Sequence, residues 1–147
     1  MKIKLITVGK VKDKALQSLI YDYQKQIKEL EIIELEDEKT SDGMEKEGLK
    51  ILSKIAPDDY VISLAIEGKM MDSVEFSQLI DHVFTHQSSS IVFIIGGSYG
   101  LSDQIKSKSK QLISFSKMTF PHQLMRLILV EQIYRAFSIL KGHPYHK

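Results

Sequence analysis

Residues 96–100 read Gly-Gly-Ser-Tyr-Gly and directly follow the apolar run at 91–95. A glycine cluster after a buried strand lets the backbone approach a bound molecule, at the strand end where open parallel sheets hold ligands. No Gly-Lys-Ser/Thr follows, so this is not a nucleotide phosphate loop. The spacing, and the lack of an acid about 20 residues on, exclude the dinucleotide fingerprint. A tight structural turn accounts for the glycines equally well. A second group lies in the tail, His143-Pro144-Tyr145-His146-Lys147. An imidazole and a phenol can hold or move a proton beside a reacting atom, although a terminal segment equally well frays. Two histidines three apart, with His122 upstream, are spaced like metal ligands. No Cys or neighbouring acid completes a set, and no metal is expected. His122 follows Pro121 and reads as a side chain that hydrogen-bonds the first turn of a helix.

The elements around these residues alternate. Strands are expected over 2–8, 31–36, 60–66, 90–95 and 112–116, and helices over 13–29, 44–55, 72–86, 101–108 and 121–141. Asp72 with Glu75 makes a capping box, Ser102 or Asp103 can cap the fourth helix, and Pro121 suits the first turn of the last. Strand and helix in alternation give an α/β sandwich on a largely parallel sheet, built as one domain over 1–147. The strand at 90–95 is apolar throughout, the pattern of a strand buried on both faces. At about 100° per residue, Leu124, Ile128, Leu129 and Val130 fall on all sides of the last helix. A helix buried all round in a small chain is either central or walled by a second copy, and a homodimer is the expectation. Glu131 and Arg135, four apart on it, can pair.

Composition narrows the classes further. The chain has 147 residues, 43% hydrophobic and 27% charged, with no Cys. That fits a globular domain and excludes disulfides and a thiolate nucleophile. No run approaches the roughly 20 apolar residues of a membrane span, and the N-terminal run is too short for a signal peptide. A cytoplasmic protein without membrane contact is expected. The net charge is only +1 but is segregated, with seven basic and two acidic residues over 1–28, five and fifteen over 29–81, and eight and two over 82–147. If the basic ends meet in space, one face is suited to an anionic polymer; solvated acidic loops account for the middle equally well.

Four segments occur in order: Phe93-Ile94-Ile95-Gly96-Gly97-Ser98-Tyr99-Gly100, then 112–123 (Leu-Ile-Ser-Phe-Ser-Lys-Met-Thr-Phe-Pro-His-Gln), then Glu131-Gln132-Ile133-Tyr134-Arg135-Ala136, and Tyr145-His146-Lys147. With Val8-Gly9-Lys10 and Gly68-Lys69, they closely resemble the ribosomal RNA large subunit methyltransferase H family of SPOUT-class enzymes over essentially the whole chain. The segment 37–47 is short beside longer members. The resemblance implies an S-adenosyl-L-methionine-dependent enzyme that methylates N3 of a pseudouridine in helix 69 of 23S rRNA, on the assembled 70S ribosome. It also implies a C-terminal trefoil knot and an obligate homodimer. By position, cofactor contacts fall on Leu64, Gly96, Phe115, Ser116, Lys117, Met118, Thr119 and Phe120. His146 and Tyr145 are the candidate proton handlers, Arg135 or Arg126 the charge stabiliser, and Lys147 a phosphate contact. A non-catalytic α/β module that binds a nucleotide-like ligand or RNA would share the glycine loop and basic ends, but would not need the tail.

Overall fold

Alternation along two strands decides which side chains meet which helices. In β1 (Lys2–Val8), Ile3 and Leu5 enter one core while Ile6 and Val8 enter another. In β4 (Ser90–Ile95), Ile91, Phe93 and Ile95 join the first core and Val92 and Ile94 the second. Both strands are therefore closed off from water on each face, as a run of Ile, Val and Phe requires. The computed structural model describes residues 1–40 and 42–147.

The remaining elements are α1 (Lys14–Gln24), β2 (Leu30–Leu35), α2 (Gly43–Leu52), β3 (Tyr60–Met70), α3 (Ser73–His86), α4 (Asp103–Lys108), β5 (Gln111–Ser114) and α5 (His122–Leu140). The five strands form one parallel sheet in the order β2-β1-β4-β3-β5. Helices α1, α3 and α5 cover one face, with Ile20, Ile80, Leu129 and Ile133 in that core. Ile51 of α2 and Ile105 of α4 cover the other. The expected caps form: Asp72 and Glu75 make the reciprocal box at α3, and Ser102 accepts from the Ile105 N–H at α4.

Two boundaries differ from the sequence expectation for physical reasons. Helix α1 stops at Gln24 rather than 29, because Leu30 must pair beside Ile3 at the start of β2. Two tight turns, Ile27 N–H to the Gln24 carbonyl and Leu30 N–H to the Ile27 carbonyl, bring the chain round. Ile27 keeps a core position there, only 3% exposed, and so mimics helical periodicity. Strand β3 runs on to Met70 past a bulge, where Leu64 and Lys69 both pair with Ile113 of β5. Gly68 permits this, since a Cβ there would lie 2.6 Å from the Ile113 backbone nitrogen. Strand β5 itself ends at Ser114, earlier than 116.

The two basic segments of the sequence do come together. Strand β1 pairs with β4, and α1 packs against α5. The acidic middle supplies the β2 edge, α2 and β3.

Candidate functional site

A cavity of about 290 Å³ opens at the carboxyl ends of β3, β4 and β5. Its walls are mostly apolar, and volume and lining suit a small organic ligand. The glycine loop forms one wall. Gly96 passes so close to residue 100 that a Cβ would sit 2.7 Å from the Gly100 carbonyl oxygen. The Gly100 N–H returns to the Gly97 carbonyl at 3.0 Å, closing the turn. The loop is therefore both a tight turn and a cavity wall.

The opposite wall is the segment after β5. Ser114 Oγ donates to the Ser116 carbonyl at 2.8 Å, and Ser116 Oγ accepts from the Met118 N–H at 3.0 Å. These bonds curl 115–120 round the opening, where Met118 stands 72% exposed although apolar. Phe115 is anchored edge-on against Phe76 at 5.6 Å between ring centres. Leu64, Gly96, Phe115, Ser116, Met118, Thr119 and Phe120 all line the cavity, whereas Lys117 is exposed and outside the lining.

Sequence reasoning missed part of this wall. His122 lines the cavity with Met125 from the first turns of α5. Its Nε2 is buried without a hydrogen-bond partner, so it does not tie down the helix start through that atom as expected. An orphaned buried nitrogen in a cavity wall is a group that a ligand would satisfy. Glu67 stands at the rim, and Lys106 at 2.8 Å holds its carboxyl below the usual range.

The tail is folded down, not frayed. The Tyr145 hydroxyl donates to Glu131 Oε1 at 3.0 Å and lies 3.2 Å from the Tyr23 hydroxyl. Arg135 donates to the same Glu131 oxygen through Nε at 3.0 Å and Nη2 at 2.6 Å. Its Nη1 lies 3.0 Å from His146 Nδ1, and its guanidinium sits 4.8 Å from the centre of the Tyr145 ring. Glu131 holds the Arg135 cation more firmly charged than usual. Burial, with the bonds to Tyr23 and Glu131, pushes the Tyr145 phenol well above its ordinary value, so it stays protonated. Arg135, Tyr145 and His146 thus meet in one cluster. Glu131 is its hub, and Tyr23 is a member that no sequence signal marked.

That cluster and the cavity do not meet within one chain. Tyr145 and His146 are absent from the cavity lining. Arg135 lies ten residues beyond Met125, about 15 Å along the helix axis at 1.5 Å per residue. Arg126, the other candidate charge, is only 2% exposed; its two terminal nitrogens are engaged in structure, while its buried Nε has no partner. It donates to Glu34 at 2.6 Å and to the Gly9 carbonyl at 2.8 Å, fastening the loop after β1 to α5. Burial lowers its pKa, and Glu34 opposes that shift.

Comparison with known proteins gives concordant results. A family described as "Predicted SPOUT methyltransferase" matches residues 1–146. The chain is 67% identical over its full length, and the relative's full length, to a protein of Acholeplasma laidlawii named ribosomal RNA large subunit methyltransferase H. Proteins of the same name from Streptococcus uberis and Bacillus pumilus are 55% and 51% identical, again over all of both chains. Among solved structures, a probable methylase family protein from Haemophilus influenzae superposes with a TM-score of 0.57 at 8% identity, covering 99% of this chain and 70% of that one. That last likeness concerns the fold alone.

Proposed function

The chain belongs to the SPOUT methyltransferases, and from that premise we propose that it methylates large-subunit ribosomal RNA with S-adenosyl-L-methionine as methyl donor. In its finer form the proposal is transfer to N3 of a pseudouridine in helix 69 of 23S rRNA, within the assembled 70S ribosome in the cytoplasm. Full-length identity of 67% to a relative named for this activity supports the coarser statement. The observation that carries the reading is the cavity lined by Leu64, Gly96, Phe115, Ser116, Met118, Thr119 and Phe120, at positions where the resemblance implies a cofactor.

The residues present fit the methyl donor. Leu64, Met118 and Phe120 offer an apolar clamp, the Gly96 backbone allows close approach, and His122 Nε2 supplies a free polar contact. When bound, the donor supplies an electrophilic methyl carbon on a sulfonium. The protein's work is then to hold that carbon in line with the acceptor nitrogen. No charged side chain is needed at the sulfur, which suits a wall of backbone and aliphatic groups.

A homodimer belongs to the same reading. The tail cluster lies about 15 Å along α5 from its own cavity, so a second copy is what would bring tail and cavity together. Leu19 stands 47% exposed on α1 beside Leu127 and Ile128 of α5, an apolar face fit for that copy. The trefoil knot completes the family reading. Docking on a preformed ribosomal surface, with salt-dependent phosphate contacts from the clustered basic segments, would make free RNA a poor substrate.

The test is methyl incorporation from labelled S-adenosyl-L-methionine into 70S ribosomes, 50S subunits and naked 23S rRNA. Incorporation at one 23S position, strongest on 70S, is the expected result. Cofactor binding without incorporation into any of the three would instead indicate a binding module and overturn the enzymatic reading.

A further inference from the structure

Arg135 settles which nitrogen of His146 carries the proton. A guanidinium has donors only, and Arg135 Nη1 lies 3.0 Å from His146 Nδ1. Nδ1 must therefore present its lone pair, and in a neutral imidazole the single N–H is then on Nε2. A flipped ring would set a carbon-bound hydrogen against the cation. Glu131 keeps Arg135 in place through two bonds to one oxygen, and Tyr145 donates to that same oxygen. Among the described residues, His146 Nε2 makes no hydrogen bond.

We propose that His146 enters the reaction as a hydrogen-bond donor through Nε2–H, locked in that tautomer by Arg135, and grips a ring carbonyl oxygen beside the methylated nitrogen. This deepens the function proposed above and rests on it. A neutral imidazole whose second nitrogen is occupied by a cation has no free lone pair, so His146 is not the general base. What the locked group offers is a positive dipole backed by a fixed charge. That suits an imide acceptor, an N–H flanked by two carbonyls as in uracil or pseudouridine. When the imide proton passes to solvent water, negative charge spreads onto the carbonyl oxygens. The nitrogen electron pair then forms the N–C bond while the S–C bond of the methyl donor breaks, its electrons remaining on sulfur. A donor already aimed at a carbonyl oxygen strengthens as that charge develops and stabilises the transition state over the bound substrate. An exocyclic amine acceptor would gain nothing from it. His146 is the catalytic residue in this scheme, and Arg135 and Glu131 are positioning residues.

The tautomer is read first on the full-length protein labelled with 15N-histidine, by long-range proton–nitrogen correlation at pH 8. The expected spectrum has a pyridine-like Nδ1 and a pyrrole-like Nε2 for His146. In Arg135→Gln the two nitrogens should move towards averaged values. Turnover on 70S ribosomes is measured alongside for His146→Phe, His146→Asn and His146→Gln. Loss of a transition-state donor costs about 10²–10³-fold in rate, expected for Phe and for Asn, whose amide is too short. The Gln amide nitrogen reaches the Nε2 position, and should recover turnover to within about tenfold of wild type. Affinity for S-adenosyl-L-methionine should be unchanged in all three. A proton on Nδ1 overturns the proposal, as does a Gln variant no more active than Phe. A wild-type protein without turnover overturns the donor role together with the proposed function, while the nitrogen shifts still decide the tautomer.

Discussion

At the scale of single residues, the groups with the most to say are polar ones buried without partners. Glu47 on α2 is 2% exposed beside the glycine loop; one oxygen accepts from the Glu38 N–H at 2.9 Å and the other has no partner. Burial pushes its carboxyl above the ordinary 4.5, with Asp37 and Glu38 adding to the shift. A folded-state pKa raised in this way gives stability that is present below 4.5 and lost as pH rises through the native value. Glu47→Gln keeps the shape and removes the charge. Urea unfolding should show the variant equal to wild type at pH 4 and more stable at pH 8 by about 1 kcal/mol. An equal effect at both pH values would rule out the charge as its cause. Neither Glu47 nor His122 announces its environment in the sequence, because burial of a polar side chain depends on which distant segments cover it.

At the scale of elements, the cavity is made by where strands stop. Strands β4 and β5 end within a residue or two of the loops that line it, and the strength of these loops is geometric. Gly96→Ala would force a methyl against the Gly100 carbonyl oxygen at 2.7 Å, a backbone atom that cannot swing aside. The loop must shift. Affinity for S-adenosyl-L-methionine should fall by more than about tenfold, roughly 1.4 kcal/mol or more. Calorimetric titration reads that loss, and an unchanged melting temperature would show the sheet intact. Undiminished affinity would mean that the loop is a structural turn and nothing else. The strand–helix order, the caps at α3 and α4 and the two-faced burial of β4 were legible in the sequence, since each follows from local periodicity and side-chain type. The bulge that carries β3 to Met70 was not, because it depends on where β5 docks.

At the scale of the whole molecule, the separation of tail and cavity is the informative feature. Leu19→Glu puts a charge on the exposed face of α1 where a second copy would pack. By light scattering the variant should be a monomer. It should bind S-adenosyl-L-methionine within about threefold of wild type, yet lose methyl transfer by a factor on the order of 100. A monomer with full turnover would show that one chain suffices. Mixing Gly96→Ala chains with chains lacking 145–147 gives the complementary result. Each should be impaired alone, and a mixed dimer should recover part of the activity only if one copy's tail serves the other's cavity. No recovery in mixtures proven to contain mixed dimers would place tail and cavity in the same chain.

The α/β class, the parallel sheet, the position of the glycine loop and the family follow from the order of residues alone. These are carried by local patterns: alternation, helical spacing, capping pairs and four motifs in fixed order. The folded chain alone made Arg126 a buried brace to Glu34, 92 residues away, and not a free charge. It also brought the Tyr145 hydroxyl onto Glu131 and Arg135 onto His146 Nδ1. Those outcomes depend on distances between segments far apart in the chain, and a protonation state is set by neighbours that residue type and spacing do not specify.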